Sequence, residues 1–405
     1  MLDVDAIRAQ FPALAGPRLF LDGPAGSQVP RRVIAAMGAY LERHNANTHG
    51  RFATSRESDA LIARARAAAA DLLGAGDADE IAFGPNMTTL TFALARALGR
   101  TWRAGDELVV SRLDHDANVA PWLRAAADSG AAVKWLEVRA ADGTLDPGSF
   151  EVIGPRTRLV AVGAASNAVG TINPVAAIAA RCRAAGAQLF VDAVHLAPHA
   201  LMDVATWDCD YLACSAYKFF GPHVGILWGR RALLAALPVD KVRPSDDSMP
   251  SRWETGTQSH EGIAGTLEAI EYLADLSGSP PTSPRRVRLA RAFEEVVAHE
   301  RALCTRLLTG LRDLPGVRVL GIADPARAAD RAPTVSLVHD RLSPHALAES
   351  LAARDIQAWH GNFYALELST ALGLEPHGML RLGLLHYNTT GEVDRLLSAL
   401  REICA

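Results

Sequence analysis

The sequence is poor in the marks of secreted, membrane-spanning and polyanion-binding proteins. Its five cysteines, Cys182, Cys209, Cys214, Cys304 and Cys404, are scattered, odd in number and form no CxxC pair. That argues against a disulfide framework or a zinc ribbon and fits reduced thiols. No run approaches the ~18 uninterrupted apolar residues of a membrane span. The start, Met1-Leu2-Asp3-Val4-Asp5, is acidic where a signal peptide is basic. A cytoplasmic chain with no membrane partner is therefore expected. Basic charge is not in excess: 41 Lys and Arg against 45 Asp and Glu leave a net charge of -4, so no nucleic-acid partner is expected either. Neither GxGxxG nor GxxxxGKS occurs, which removes the common nucleotide loops. What is present is an ordinary globular balance, 49% hydrophobic and 21% charged over 405 residues, long enough for two or three domains.

From about residue 58 to residue 230, alanine-rich helical patterns alternate with short β-branched runs. Asp59 to Leu73 reads as a helix closed by Gly74, and Val175 to Ala185 as another. Glu107 to Ser111, Leu159 to Ala165, Gln188 to Val191 and Tyr211 to Cys214 read as strands. Strands separated by helical patterns predict an α/β fold with a mainly parallel sheet flanked by helices, whose ligands collect at the carboxyl ends of the strands. The Ser-, Pro- and Gly-rich stretch Ser277 to Pro284 is the best boundary in the chain. Beyond it, a long helix from Val287, strands at Thr334 to Val338 and Leu380 to Leu384, a helix from His345 to Arg354 and a last helix after Gly391 suit a smaller α+β domain.

Three local features carry chemistry. Lys218 stands just past a buried strand in Ser215-Ala216-Tyr217-Lys218-Phe219-Phe220-Gly221-Pro222. A buried amine has a lowered pKa and can form a Schiff base with an aldehyde; the alternative is a lysine that leaves the sheet edge for water. Asp192 ends the apolar strand before it, in Phe190-Val191-Asp192-Ala193-Val194-His195. On neighbouring strands, the amine and the carboxylate would hold the aldehyde carbon and the protonated nitrogen of one pyridine ring, the arrangement pyridoxal phosphate needs. Asp192 taken alone is equally a cap or turn residue. Third, Gly84-Pro85-Asn86-Met87-Thr88-Thr89 leads from a strand into a helix; free N–H groups and a hydroxyl there would suit a phosphate, although Thr at a helix start is usually a cap.

Together with Leu21-Asp22-Gly23-Pro24-Ala25-Gly26, Asn47-Thr48-His49, Asp116-Ala117-Asn118, Ser166-Asn167-Ala168-Val169-Gly170-Thr171, Glu254-Thr255-Gly256-Thr257 and Arg381 with Tyr387-Asn388-Thr389, these segments make the chain resemble fold-type I pyridoxal-phosphate enzymes. The group is the class V aminotransferases, and within it the cysteine desulfurase and selenocysteine lyase branch. The resemblance implies a large cofactor domain over residues 21–276, a small domain over 285–405, and an N-terminal segment, 1–20, packed on the small domain. It implies that Lys218 carries the cofactor, Asp192 pairs with the ring nitrogen, and Thr88 and Ser215 hold the phosphate beside Asn86 and Met87. Thr257 would reach the cofactor of a second subunit, making a homodimer with shared sites. Asn167 would lie near the ring oxygen and the substrate carboxylate, and Arg381 would clamp that carboxylate.

The departures narrow the function. In the desulfurases a mobile loop supplies a cysteine that takes up sulfur; the matching stretch here is Ala358-Trp359-His360-Gly361-Asn362-Phe363-Tyr364-Ala365, with Tyr364 in the cysteine's place. A phenol cannot accept sulfur as a thiolate does. The ring-stacking histidine falls on Asp116, with His115 just before it; the glutamine near the ring oxygen falls on His195, and the histidine before the lysine on Tyr217. The expected function is thus C–S lyase or aminotransferase chemistry on a small amino acid without a persulfide relay, with an epimerase of the same fold as the alternative. Tyr364, His195 and His360 are candidates for a second acid or base. Ser215-x-x-Lys218 also fits the SxxK of acyl-serine enzymes, but that motif needs its serine at a helix start and SDN and KTG partners that are absent here. His195 and His199 are spaced as metal ligands on a helix, which Pro198 interrupts, so no metal is expected.

Overall fold

The computed structural model describes residues 2–405. The strands of its two larger sheets are numbered here in chain order. The first sheet contains β1 (Ile81–Gly84), β2 (Glu107–Ser111), β3 (Ala132–Leu136), β4 (Thr157–Gly163), β5 (Gln188–Asp192), β6 (Tyr211–Ser215) and β7 (Gly225–Gly229). Their spatial order is β1-β7-β6-β5-β4-β2-β3. The run from β6 to β3 is parallel, while β7 lies antiparallel between β1 and β6. Strands β2, β4, β5 and β6 match the sequence reading to within two residues at either end. The antiparallel β7 was not read, because its Gly-Ile-Leu-Trp-Gly has too little alternation to distinguish it from a turn.

Both faces of this sheet are covered. Along β5, Leu189 and Val191 join one apolar cluster while Phe190 joins the other, against Trp122 at 5.1 Å. A period of two with both phases apolar is the pattern of a strand sandwiched between helix layers. The helix Ala53–Leu73 ends where Gly74 adopts φ 71°, closing the last turn with its N–H on the Ala70 carbonyl.

The second sheet, β8 (Val317–Leu320), β9 (Thr334–His339), β10 (Trp359–Gly361) and β11 (Met379–Gly383), is antiparallel in the order β8-β9-β11-β10. The helices Arg285–Arg312 and Thr390–Cys404 pack against it through Leu307, Leu311, Leu396 and Leu400. Near the start of the chain, Leu19–Phe20 pairs in parallel with Ile356–Gln357. Arg8 donates to the Tyr387 carbonyl at 2.8 Å and pairs with Glu392 at 2.9 Å. Phe11 instead meets Phe220 and Tyr272 edge-on, so the N-terminal segment touches both halves of the chain. Among the described residues no helix is long and apolar enough to cross a membrane.

One glycine couples the sheet to the site. Gly225, at the start of β7, is in register with both Gly84 and Ser215, and a Cβ there would lie 2.4 Å from the Asn86 carbonyl carbon. Backbone cannot yield as a flexible side chain does. Gly225→Ala is expected to cost about 1–3 kcal/mol as an overpacked position and to displace the Asn86–Met87 turn. Urea unfolding of the variant beside the parent protein measures the loss.

Candidate active site

A cleft opens where the parallel strands end. Its walls are Asn86, Met87 and Thr88 after β1; Asp114, His115 and Ala117 after β2; Gly163, Ala165 and Asn167 after β4; Asp192, Val194 and His195 after β5; and Ser215, Tyr217 and Lys218 after β6. The parallel pairing of β5 with β6 sets Asp192 beside Ala213, so amine and carboxylate come from adjacent strands. Lys218 is 9% exposed. It does not leave the sheet edge for water; its Nζ turns back to the Pro24 and Ala25 carbonyls, the latter at 3.3 Å.

Burial dominates the electrostatics. It pulls the Lys218 amine down to about 7, helped by the Arg381 charge and opposed by Asp192. It pushes the Asp192 carboxyl up to about 6 against the Val194 N–H, donated at 2.9 Å, and against Lys218. For both groups desolvation outweighs their mutual attraction. The turn bond to Val194 shows that the bland reading of Asp192 also holds: one oxygen closes a turn while the side chain faces the cleft.

The phosphate-loop reading is refined by the capping pattern. Asn86, not a threonine, caps the helix Met87–Gly99, accepting the Thr89 N–H at 2.8 Å. The Thr88 hydroxyl is thereby left on the exposed first turn. Ser215 Oγ accepts the Met87 N–H at 3.0 Å, tying the end of β6 to the same turn. Of the pair His115 and Asp116, only His115 lines the cleft. It caps the short turn Asp116–Asn118, its Nδ1 accepting the Ala117 N–H at 3.0 Å, while the Asp116 carboxylate lies outside the lining. That bond places the remaining ring proton on Nε2. Burial, then the charges of Lys218 and Arg381, hold the imidazole down at about 4, so it is neutral. His195 is also driven well below its usual range, chiefly by burial, and bonds Thr334 Oγ1 through Nε2 at 3.0 Å.

Besides Asp116, three predicted residues stand apart from the cleft lining. Arg381, on β11, lies behind Asn167: its Nη1 donates to the Asn167 carbonyl at 2.8 Å. Burial lowers it to about 9, partly offset by the charges of Asp22 and Tyr217. Tyr364 is 72% exposed at the mouth, its ring 5.3 Å from that of His115. Thr257 is exposed on the segment after Glu254 and does not reach this cleft. Ser215 ends a strand and has no hydrogen bond to Lys218 among those formed by the described residues, which removes the geometric basis of an acyl-serine site. His195 and His199 lie in successive turns with rings 5.5 Å apart.

Sequence reasoning missed Asp114. Buried and raised to about 8, chiefly by desolvation, it accepts the Gly163 N–H at 2.9 Å and Asn118 Nδ2 at 2.8 Å. It fastens the end of β4 to the His115 turn. The only trace in the sequence is an Asp beside the histidine, which nothing distinguishes from a turn former.

The set fits pyridoxal phosphate on its own chemistry. An amine with a depressed pKa, a buried carboxylate, a neutral ring and a helix first turn all face one cleft. Asn167 is also in the lining, and its Oδ1 is a buried acceptor with no partner among the described residues; unpaired acceptors of this kind call for a ligand.

Comparison with known proteins agrees. The aminotransferase class-V family model matches residues 19–396. An aminotransferase-like protein, FGM3, of Gibberella zeae is 34% identical, covering 99% of this chain and 98% of its own. A probable cysteine desulfurase of Streptomyces coelicolor is 31% identical over 100% and 97%. Among solved structures, the apo cysteine desulfurase of Thermococcus onnurineus superposes with a TM-score of 0.89 at 27% identity, covering 100% of this chain and 98% of that one. With the amine, the carboxylate and the helix turn converging in one cleft of this fold, the chain belongs to the class V aminotransferase family of pyridoxal-phosphate enzymes.

Proposed function

We propose that this enzyme acts on a small α-amino acid by C–S lyase or aminotransferase chemistry, with no persulfide held on the protein. One observation carries the reading. All five cysteines are buried, and burial raises the thiols of Cys182 and Cys209 to about 12 and that of Cys214 further. The position over the cleft holds Tyr364 instead. A sulfur acceptor must be an accessible thiolate, and no cysteine here meets that requirement.

In this reading Lys218 would hold the cofactor and Asp192 would face its ring nitrogen. His115 would cover the ring, and Asn167 and His195 would approach its oxygen. Ser215, Thr88 and the backbone around Asn86 and Met87 would take the phosphate, joined by Thr257 from a second copy in a homodimer. When bound, pyridoxal phosphate supplies the sink for the electron pair left at Cα. Lys218 Nζ, whose burial favours the unprotonated amine near neutrality, would be the group able to accept the Cα proton and give it back. Arg381 holds the substrate carboxylate. It is a buried cation with no carboxylate within ion-pairing distance among the described residues, and such a charge is costly until a counterion arrives. Arg331, equally buried, differs because carbonyls of Ile322, Val169, Ala332 and Thr334 surround its nitrogens.

Product analysis of the holoenzyme with amino acids tests the function. Pyruvate with sulfide from cysteine marks elimination, and a pyridoxamine product marks transamination. Inverted product with deuterium at Cα would show an epimerase instead, and a protein-bound persulfide found by mass spectrometry would defeat the proposal. Iodoacetamide applied to the native protein is expected to leave turnover unchanged, since no thiol is accessible.

The lysine gives a second expectation. Only the neutral amine attacks an aldehyde, so cofactor attachment to apoprotein should rise roughly tenfold per pH unit below about 7 and level off above it. An exposed lysine would keep rising toward its usual range near 10. Because the Arg381 charge lowers the amine, Arg381→Leu is expected to move this limb to higher pH, as followed by the growth of the long-wavelength band. Lys218→Ala should lose the band that borohydride abolishes and about 10²- to 10⁴-fold of turnover.

A further inference from the structure

The segment after β10 covers the arginine in an unusual way. Phe363 and Tyr364 are consecutive residues with φ 57° and 59°, a left-handed conformation that bulky side chains rarely adopt. The turn is held from both sides. Within it, Ala365 N–H donates to the Asn362 carbonyl at 2.8 Å and Tyr364 N–H to Asn362 Oδ1 at 3.1 Å. From outside, Asp116 N–H donates to the Tyr364 carbonyl at 2.7 Å and Asn167 Nδ2 to the Phe363 carbonyl at 2.9 Å. The result is a phenyl ring laid over the Arg381 guanidinium, 3.9 Å from its central carbon to the ring centroid. Two strained residues latched to Asn167 of the cleft wall and to Asp116 just outside it indicate a placement that the fold enforces.

We propose that Phe363 sets the substrate class of this site: amino acids with one carboxylate and an uncharged side chain, to the exclusion of dicarboxylic ones. The proposal rests on the reading of Arg381 as the carboxylate clamp. With one guanidinium face under the ring and Nη1 engaged by the Asn167 carbonyl, a carboxylate must arrive in the guanidinium plane, at the remaining N–H groups. A second anionic group brought against the covered face would gain nothing from the cation. There it finds the negative face of an aromatic ring, not a cation.

The test titrates holoenzyme with L-alanine and with L-aspartate, following the cofactor absorbance, in the parent protein, Phe363→Ala, Phe363→Tyr and Arg381→Leu. The parent is expected to bind L-alanine in preference to L-aspartate. Phe363→Ala should shrink that preference by roughly tenfold, and Phe363→Tyr, which keeps an aromatic face, should retain it. Phe363 is half-buried on a surface turn, and circular dichroism of each variant checks that it is folded. An equal change for both amino acids in Phe363→Ala, or none, overturns the role of Phe363 and leaves the clamp standing. A response to both that persists in Arg381→Leu, or no response in the parent protein, overturns the clamp and this proposal together.

Discussion

The site depends on the cost of keeping a charge out of water. Asp192 ends one parallel strand and Lys218 stands on the turn just past its neighbour, both so buried that each is shifted toward its neutral form. Two opposite charges on a surface would sharpen one another; here desolvation wins for both. An amine ready to act as a nucleophile and a carboxyl ready to share a proton are the two groups a pyridine aldehyde needs. The seven-stranded sheet and its two helix layers are what keep both groups buried.

The same economy applies at the next layer out. His115 and His195 are neutral because they are buried beside cations, so they act as hydrogen-bonding walls rather than as charges. Arg381 cannot become neutral in this way and stays short of a counterion, whereas Arg331 is satisfied by backbone carbonyls. Two buried arginines on one sheet and the strand edge beside it thus serve different ends. One braces the join between the halves of the chain; the other has no carboxylate within ion-pairing distance among the described residues. The loop carrying Phe363 and Tyr364 brings an aromatic pair and no thiol to this wall, one ring over the Arg381 guanidinium and the other beside His115.

Much of this was legible in residue order. The meeting of Lys218 with Asp192 followed from two apolar strands one unit apart, one ending in Asp192 and the other followed closely by Lys218, because parallel sheets place such ends in one crevice. The lysine's burial was open until its amine was seen turned onto the Pro24 and Ala25 carbonyls, which come from the far end of the chain. Asp114 was invisible because its bond to Asn118, four residues on, looks like that of any turn former, while its partner Gly163 is found only once β2 and β4 lie side by side. The choice of His115 over Asp116 was a matter of one residue, decided by a capping bond to Ala117.

The sequence by itself determined the layer pattern, the large parallel sheet, the chemistry of the amine and carboxylate, and the want of a cysteine at the loop. Those are properties of periodicity and residue type, which local order carries. Tertiary structure alone decided that all five thiols are buried, that Arg381 stands behind Asn167 with Phe363 across it, and that Thr257 is exposed and outside the lining of this cleft. Each of those depends on contacts between segments tens to hundreds of residues apart, and solvent exposure and desolvation are set by what the whole fold packs around a group, not by its neighbours in the chain.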